Sequence, residues 1–211
     1  MKTLKSLVTV SALSLSSLAA AWNGPMPLVE HLSTKGDCQD VEASFNMDKN
    51  QIEYDFYDYE AYTDVYQGQS RTRARCTVKV PVQVPYGYQV AVSAAILEYS
   101  GYVADGGQGH TAIRYRFEGQ SSEGITKSFP QGELSDDDSR IVFAPSNPSF
   151  SDCGNRKPVL ELVSTITVRA PLDGGEDSDV SFEQGFSTFK QKHFANNHFD
   201  FAHKLIFRKC H

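Results

Sequence analysis

The chain has 211 residues, a formal net charge of −6 and 40% hydrophobic residues, enough for one domain with a sizeable core. The acid excess argues against a general nucleic-acid binder or a protein drawn to anionic membranes, because both need a positive footprint. No segment after the N-terminus reaches the ~18 apolar residues of a membrane helix, so membrane insertion is not expected.

In chain order, Lys2 and Lys5 precede a short apolar, serine-rich stretch over residues 7–18, and Ala19-Ala20-Ala21 follows with small residues where a signal peptidase reads. The pattern predicts a signal peptide over 1–21, cleaved after Ala21, and hence a secreted or periplasmic protein. Its removal takes Lys2 and Lys5 with it and moves the charge from −6 to −8. Residues 22–37 carry two prolines and no periodicity, which predicts an extended arm ahead of a single domain over 38–211.

Alternation of period two begins at Val41 and recurs to the end. Residues 41–47 and 51–59 read as strands joined by the turn-like Asp48-Lys49-Asn50. The stretch "CTVKVPVQVPYGYQV" from Cys76 sets Val78, Val80, Val82 and Val84 on one face and Thr77, Lys79, Pro81 and Gln83 on the other. Pro81 cannot donate to a ladder, so this strand is expected at an edge or with that side unpaired. Val84-Pro85-Tyr86-Gly87 suits a type I turn, and Tyr88, Val90, Val92, Ala94 and Ile96 continue a second strand, the two together resembling a hairpin. Further strands are expected at 113–117, 140–144, 159–168 and 198–207. The best helical candidates, 29–36 and 183–192, are short and contain or abut glycine. Many strands separated by glycine, proline and acidic turns predict an all-β fold, an antiparallel two-sheet β-sandwich of jelly-roll-like character.

Cys38, Cys76, Cys153 and Cys210 are even in number and contain no C-x-x-C spacing, which in an exported chain reads as two disulfides. Three connectivities are open on the residues alone.

The runs "RCTVKVPVQVPYGYQVAV", "YSGYVADGGQGHTAIRYRFEG", "FPQG", "DCGNRKPVLEL" and "HKLIFRKC" resemble the family of small exported proteins catalogued as domain of unknown function 4360. The resemblance spans Cys38 to Cys210, with Phe207 where the family is expected to carry a tryptophan. It implies an exported β-sandwich with the sequential pairs Cys38–Cys76 and Cys153–Cys210, and it carries no catalytic residue to this chain.

His193, His198 and His203 could suggest a metal, but on a strand His198 and His203 have opposite parity, so no metal ligands are assigned. His203 shares a face with Phe199, Phe201, Leu205 and Phe207 and reads as a hydrogen-bonded residue at the core boundary. The acidic loops hold Asp136, Asp137 and Asp138, and Asp173, Glu176, Asp177 and Asp179. Neither has the order of a calcium loop, and the Asp173 loop is the stronger calcium candidate; no cofactor is otherwise implied. Arg71, Arg73 and Arg75 share parity with Lys79 and would form a rail for an anionic sugar or phosphate, the plain alternative being a solvated strand face. Tyrosines crowd residues 54–66; of these Tyr57, Tyr59 and Tyr62 are the ligand-binding candidates, with carboxylates between them to accept sugar hydroxyls. No nucleophile elbow, zinc-protease helix or catalytic cysteine motif occurs, so no catalytic residue is assigned.

These readings predict a non-enzymatic exported protein with a binding or structural role, whose partners are glycans, other surface proteins or further copies of itself. The alternatives are a carbohydrate-binding module using region 54–66 and a secreted hydrolase with paired carboxylates.

Overall fold

The computed structural model describes residues 32–38, 40–57, 59–134, 140–172, 176–181 and 201–210. The expected signal peptide, most of the arm, the helical candidate 183–192, His193, His198, Asp136, Asp137, Asp138 and Asp173 lie outside the described residues.

Within them the chain forms β1 (Ser33–Gly36), β2 (Val41–Asn46), β3 (Gln51–Phe56), β4 (Glu60–Tyr62), β5 (Arg71–Pro81), β6 (Tyr88–Glu98) and β7 (Ser100–Val103). There follow β8 (Gln108–Phe117), β9 (Glu123–Phe129), β10 (Gly132–Glu133), β11 (Arg140–Phe143), β12 (Val159–Arg169), β13 (Asp179–Ser181) and β14 (Phe201–Lys209). Two five-stranded antiparallel sheets, ordered β1-β5-β12-β8-β9 and β11-β6-β14-β3-β2, make the sandwich, and a four-stranded sheet, β10-β7-β13-β4, accompanies them.

The alternation in β5 is the clearest link from sequence to core. Ala74, Cys76, Val78 and Val80 are buried while Arg71, Arg73, Arg75 and Lys79 are exposed. Across the core lie Val90, Val92 and Leu97 of β6 and Phe201 and Leu205 of β14, with Leu160, Leu162, Ile166 and Val168 of β12 beside β5. Each such aliphatic side chain contributes roughly 1.5–3 kcal/mol by leaving water.

Three sequence expectations are corrected here. The strands at 76–84 and 88–96 do not pair as a hairpin: β5 belongs to the first sheet and β6 to the second. Each carries one fully apolar face, and facing the other across the core buries both faces against each other. Second, the turn is displaced by one residue. Tyr88 N–H donates to the Pro85 carbonyl at 3.1 Å, and Gly87 takes φ 78°, so glycine occupies the third position, as a type II turn requires. β5 is not an edge strand, because β1 pairs with it over Cys76 to Lys79, and of the two placements expected for Pro81 it takes the second, with its side unpaired among the described residues. Val82 and Val84 donate toward the Pro158 and Arg156 carbonyls, so by alternation Pro81 faces the opposite side, beyond the Ser33–Lys79 pair at which β1 begins. Third, residues 33–36, placed in the arm and in a helical candidate by their sequence, form β1.

Cys38 is joined to Cys76 and Cys153 to Cys210, with Cα–Cα distances of 5.3 and 5.9 Å, and no described cysteine is free. The first bridge ties the segment after β1 to the middle of β5. The second ties the loop before β12 to the end of β14.

Candidate functional site

The outer face of the first sheet is built by register. Arg71, Arg73 and Arg75 on β5 stand opposite Arg169, Thr167 and Thr165 on β12. On the other side of β12, Thr167, Thr165 and Val163 stand opposite His110, Ala112 and Arg114 on β8. The central strand therefore presents short β-branched side chains where its neighbour β5 presents long cationic ones. That difference in length makes a trench of about 410 Å³, floored by Val163, Thr165 and Thr167 and walled by Arg71, Arg73 and Arg75 on one side and His110, Ala112 and Arg114 on the other.

Two further hollows adjoin it. One of about 450 Å³ is lined by Lys35, Asp37, Arg75, Thr77, Lys79 and Glu161 and shares Arg75 with the trench. The other, about 330 Å³, shares Arg114 and opens where Gly124 on β9 stands opposite it. A Cβ at Gly124 would strike the Ile113 carbonyl, so the sheet itself requires glycine there and thereby leaves room beside the guanidinium.

Asp37 and Glu161 line the hollow that shares Arg75, and Glu123 the one that shares Arg114, but among the described residues none is ion-paired with the trench arginines. The ion pairs among the described residues are Arg116–Glu161 at 2.9 Å, Arg140–Glu98 at 3.6 Å and Lys49–Glu53 at 3.7 Å. None involves Arg71, Arg73, Arg75, Arg114 or Arg169 among those residues. Asp37 lies near Arg75, but its carboxylate accepts the Arg75 backbone N–H at 2.7 Å and so serves the junction of β1 with β5. Arg71 and Arg169 are direct cross-strand partners, an arrangement of like charges that costs sheet stability.

Of the sequence candidates, Arg71, Arg73 and Arg75 thus lie together on one wall of a groove. Arg114, Arg169 and His110 were missed. The alternation in "AIRYRF" puts Arg114 on a polar face, yet only the strand order brings β8 and β5 to opposite sides of β12.

The tyrosines do not form one surface. Tyr59 is fully buried, with its ring 5.6 Å from Phe56 and its hydroxyl donating to the Ala74 carbonyl at 3.4 Å, so it is corrected from ligand candidate to core residue. Burial raises its phenol pKa well above the ordinary value. Tyr57 and Tyr62 are 47% and 49% exposed but belong to different sheets, Tyr57 following β3 and Tyr62 ending β4. Tyr62 stands opposite Asp179, and Asp179 opposite Tyr102, in one row across the small sheet. The Tyr102 hydroxyl donates to Glu176 at 2.8 Å, and partial burial raises the pKa of Asp179.

The acidic candidates that are described are used by the fold. Asp177 accepts the Val65 N–H at 2.7 Å and the Thr63 hydroxyl at 3.3 Å, holding the turn after β4. Among the described residues, no group of three or more His, Cys, Asp or Glu converges as a metal site. His203 is fully buried, inside the core and not at its boundary; the Tyr54 hydroxyl lies 3.1 Å from its Nδ1.

Fold and groove together define a disulfide-stapled β-sandwich with one cationic sheet face. The chain belongs to the family described as Domain of unknown function (DUF4360), whose model matches residues 31–210. No match is found among the curated proteins. Among solved structures, that of TmCBM61 in complex with beta-1,4-galactotriose matches with a TM-score of 0.32 and 10% identity, covering 84% of this chain and 88% of that one.

Proposed function

We propose that this is a non-enzymatic binding protein, exported by its N-terminal signal, and that its ligand is anionic and held in the arginine trench. Two disulfides accord with an oxidising compartment outside the cytosol. The observation that carries the reading is the convergence of Arg71, Arg73, Arg75 and Arg114 on one groove with no carboxylate partner among the described residues. Guanidinium forks form bidentate, charge-assisted hydrogen bonds to carboxylate, sulfate or phosphate. On a protein of net charge −6 such a patch selects locally and does not attract polyanions at large.

Retention on an immobilised sulfated or carboxylated polymer tests the proposal. The full chain is expected to bind at low ionic strength and elute with salt, and Arg73→Ala/Arg114→Ala to elute earlier. Flow-through of the parent protein, or identical elution of both, contradicts it.

A second reading, recognition of neutral sugars, is favoured by the Tyr62–Asp179–Tyr102 row alone: two rings flank a carboxylate and lie two strand spacings, about 10 Å, apart. Binding to neutral glycans that Tyr62→Ala abolishes would support it, and binding untouched by that change would remove it.

A further inference from the structure

We infer that the ligand of the arginine trench is a linear acidic polysaccharide lying along β12, its carboxylates alternately engaging the β5 and β8 walls. The inference rests on the reading that this groove binds anions, and adds the form and chemistry of the ligand.

The dimensions come first. The floor from Val163 to Thr167 runs about 13 Å at the rise of a strand, and the walls stand two strand spacings, roughly 9.6 Å, apart. A single phosphate or carboxylate would fill a small part of such a trench. An extended chain of a few sugar rings fits its length and its width.

The distribution of charge comes next. Cations stand on both walls, Arg71, Arg73 and Arg75 on one and Arg114 on the other, with Arg114 a step along the strands from Arg75. In an extended acidic glycan whose rings are turned over from one to the next, successive carboxylates point to opposite sides of the chain. Such a chain presents acceptors to both walls at once.

The floor adds chemical selectivity. Val163 and Thr165, both partly exposed, offer methyl groups to the apolar faces of sugar rings, and Thr165 a hydroxyl to their polar edges, above the buried Thr167. Among the described residues the trench has no aromatic lining residue besides His110, and single-stranded nucleic acids are held mainly by base stacking on aromatic platforms.

The two ends differ in charge. Next along the β12 face after Val163 stands Glu161, paired with Arg116 at 2.9 Å, where the trench meets the hollow that it shares with Lys35 and Lys79. At the other end Arg71 faces Arg169 across the ladder, a repulsion that a bound anion relieves.

Calorimetric titration of the full chain with oligogalacturonates from monomer to hexamer tests this. Inorganic phosphate, a neutral glucan hexamer and a single-stranded oligonucleotide serve as comparators. Affinity is expected to rise about tenfold or more from monomer to trimer, as linked contacts become intramolecular, and then to level off as the floor is filled. Arg75→Ala and Arg114→Ala are each expected to weaken the trimer about tenfold, and Arg73→Lys to weaken it with the charge retained, because the fork is lost. All three arginines are exposed, and unchanged circular dichroism and melting verify that the variants fold. Phosphate or monomer binding as tightly as the trimer, or an oligonucleotide binding better, overturns the polysaccharide and leaves the anion site standing. Failure of every anion, or equal binding of the neutral hexamer, overturns both.

Discussion

His203 is fully buried, with its ring centroid 4.5 Å from Phe201, 4.9 Å from Tyr115 and 5.5 Å from Tyr54, each edge-on. Its Nδ1 is 3.1 Å from the Tyr54 hydroxyl, itself fully buried, and no partner meets its Nε2 among the described residues. Burial lowers its pKa from 6.5 to about 3, so the imidazole is neutral in the folded protein. In the unfolded chain it takes up a proton below about pH 6.5. Its contribution is therefore fully present above that pH and is lost as pH falls toward about 3, by at most about 1.4 kcal/mol per pH unit. Urea unfolding at pH about 7 and about 4.5 is expected to show a smaller loss for His203→Gln than for the parent. Equal losses would mean that His203 is not held neutral. Strand parity placed His203 with Phe201 and Leu205, and that much was legible. Its depth was not, because it depends on Tyr115 reaching over from the other sheet and on the register shift after Lys204, where Leu205 pairs with Val92 and Ser93 is passed over.

At the scale of elements, β5 joins core to site: one face supplies Val78 and Val80 to the interior and the other supplies a wall of the groove. A strand selected for stability alone would not set Arg71 against Arg169. Arg71→Glu is accordingly expected to raise the melting midpoint slightly, by at most about 1 kcal/mol of stability, while weakening anion binding. A variant that loses stability, or binds as before, contradicts the assignment of Arg71. The strong alternation made β5 readable, with its polar arginines. The short strands β4, β7, β10 and β13 were not readable, because two to four residues of glycine, serine, tyrosine and acid show no period. The false hairpin has a related cause: a Pro-Gly turn reports that the chain reverses, and only the burial of both apolar faces decides whether the two strands pair or pack.

At the scale of the whole molecule, the two disulfides close loops of 38 and 57 residues. In the chain-entropy account each stabilises by about 4 kcal/mol. Replacing Cys153 and Cys210 together by alanine is expected to lower the unfolding free energy by that order in a denaturant titration, with anion binding retained, because this bridge lies away from the trench. A loss below about 1 kcal/mol would show that β14 is anchored without it. The sandwich class could be read from alternation, turns and cysteines. Which strands share a sheet could not, and the trench exists only because β12 lies between β5 and β8.

The central claim is that this face of the sandwich, and no other, receives an anionic ligand. Backbone amide chemical-shift mapping during titration with a galacturonate trimer tests it most directly. The account predicts saturable shifts at Arg73, Arg75, Arg114, Thr165 and Thr167, with the Tyr62–Asp179–Tyr102 row unmoved. Shifts confined to that row, or no saturable shift in the trench, would contradict it.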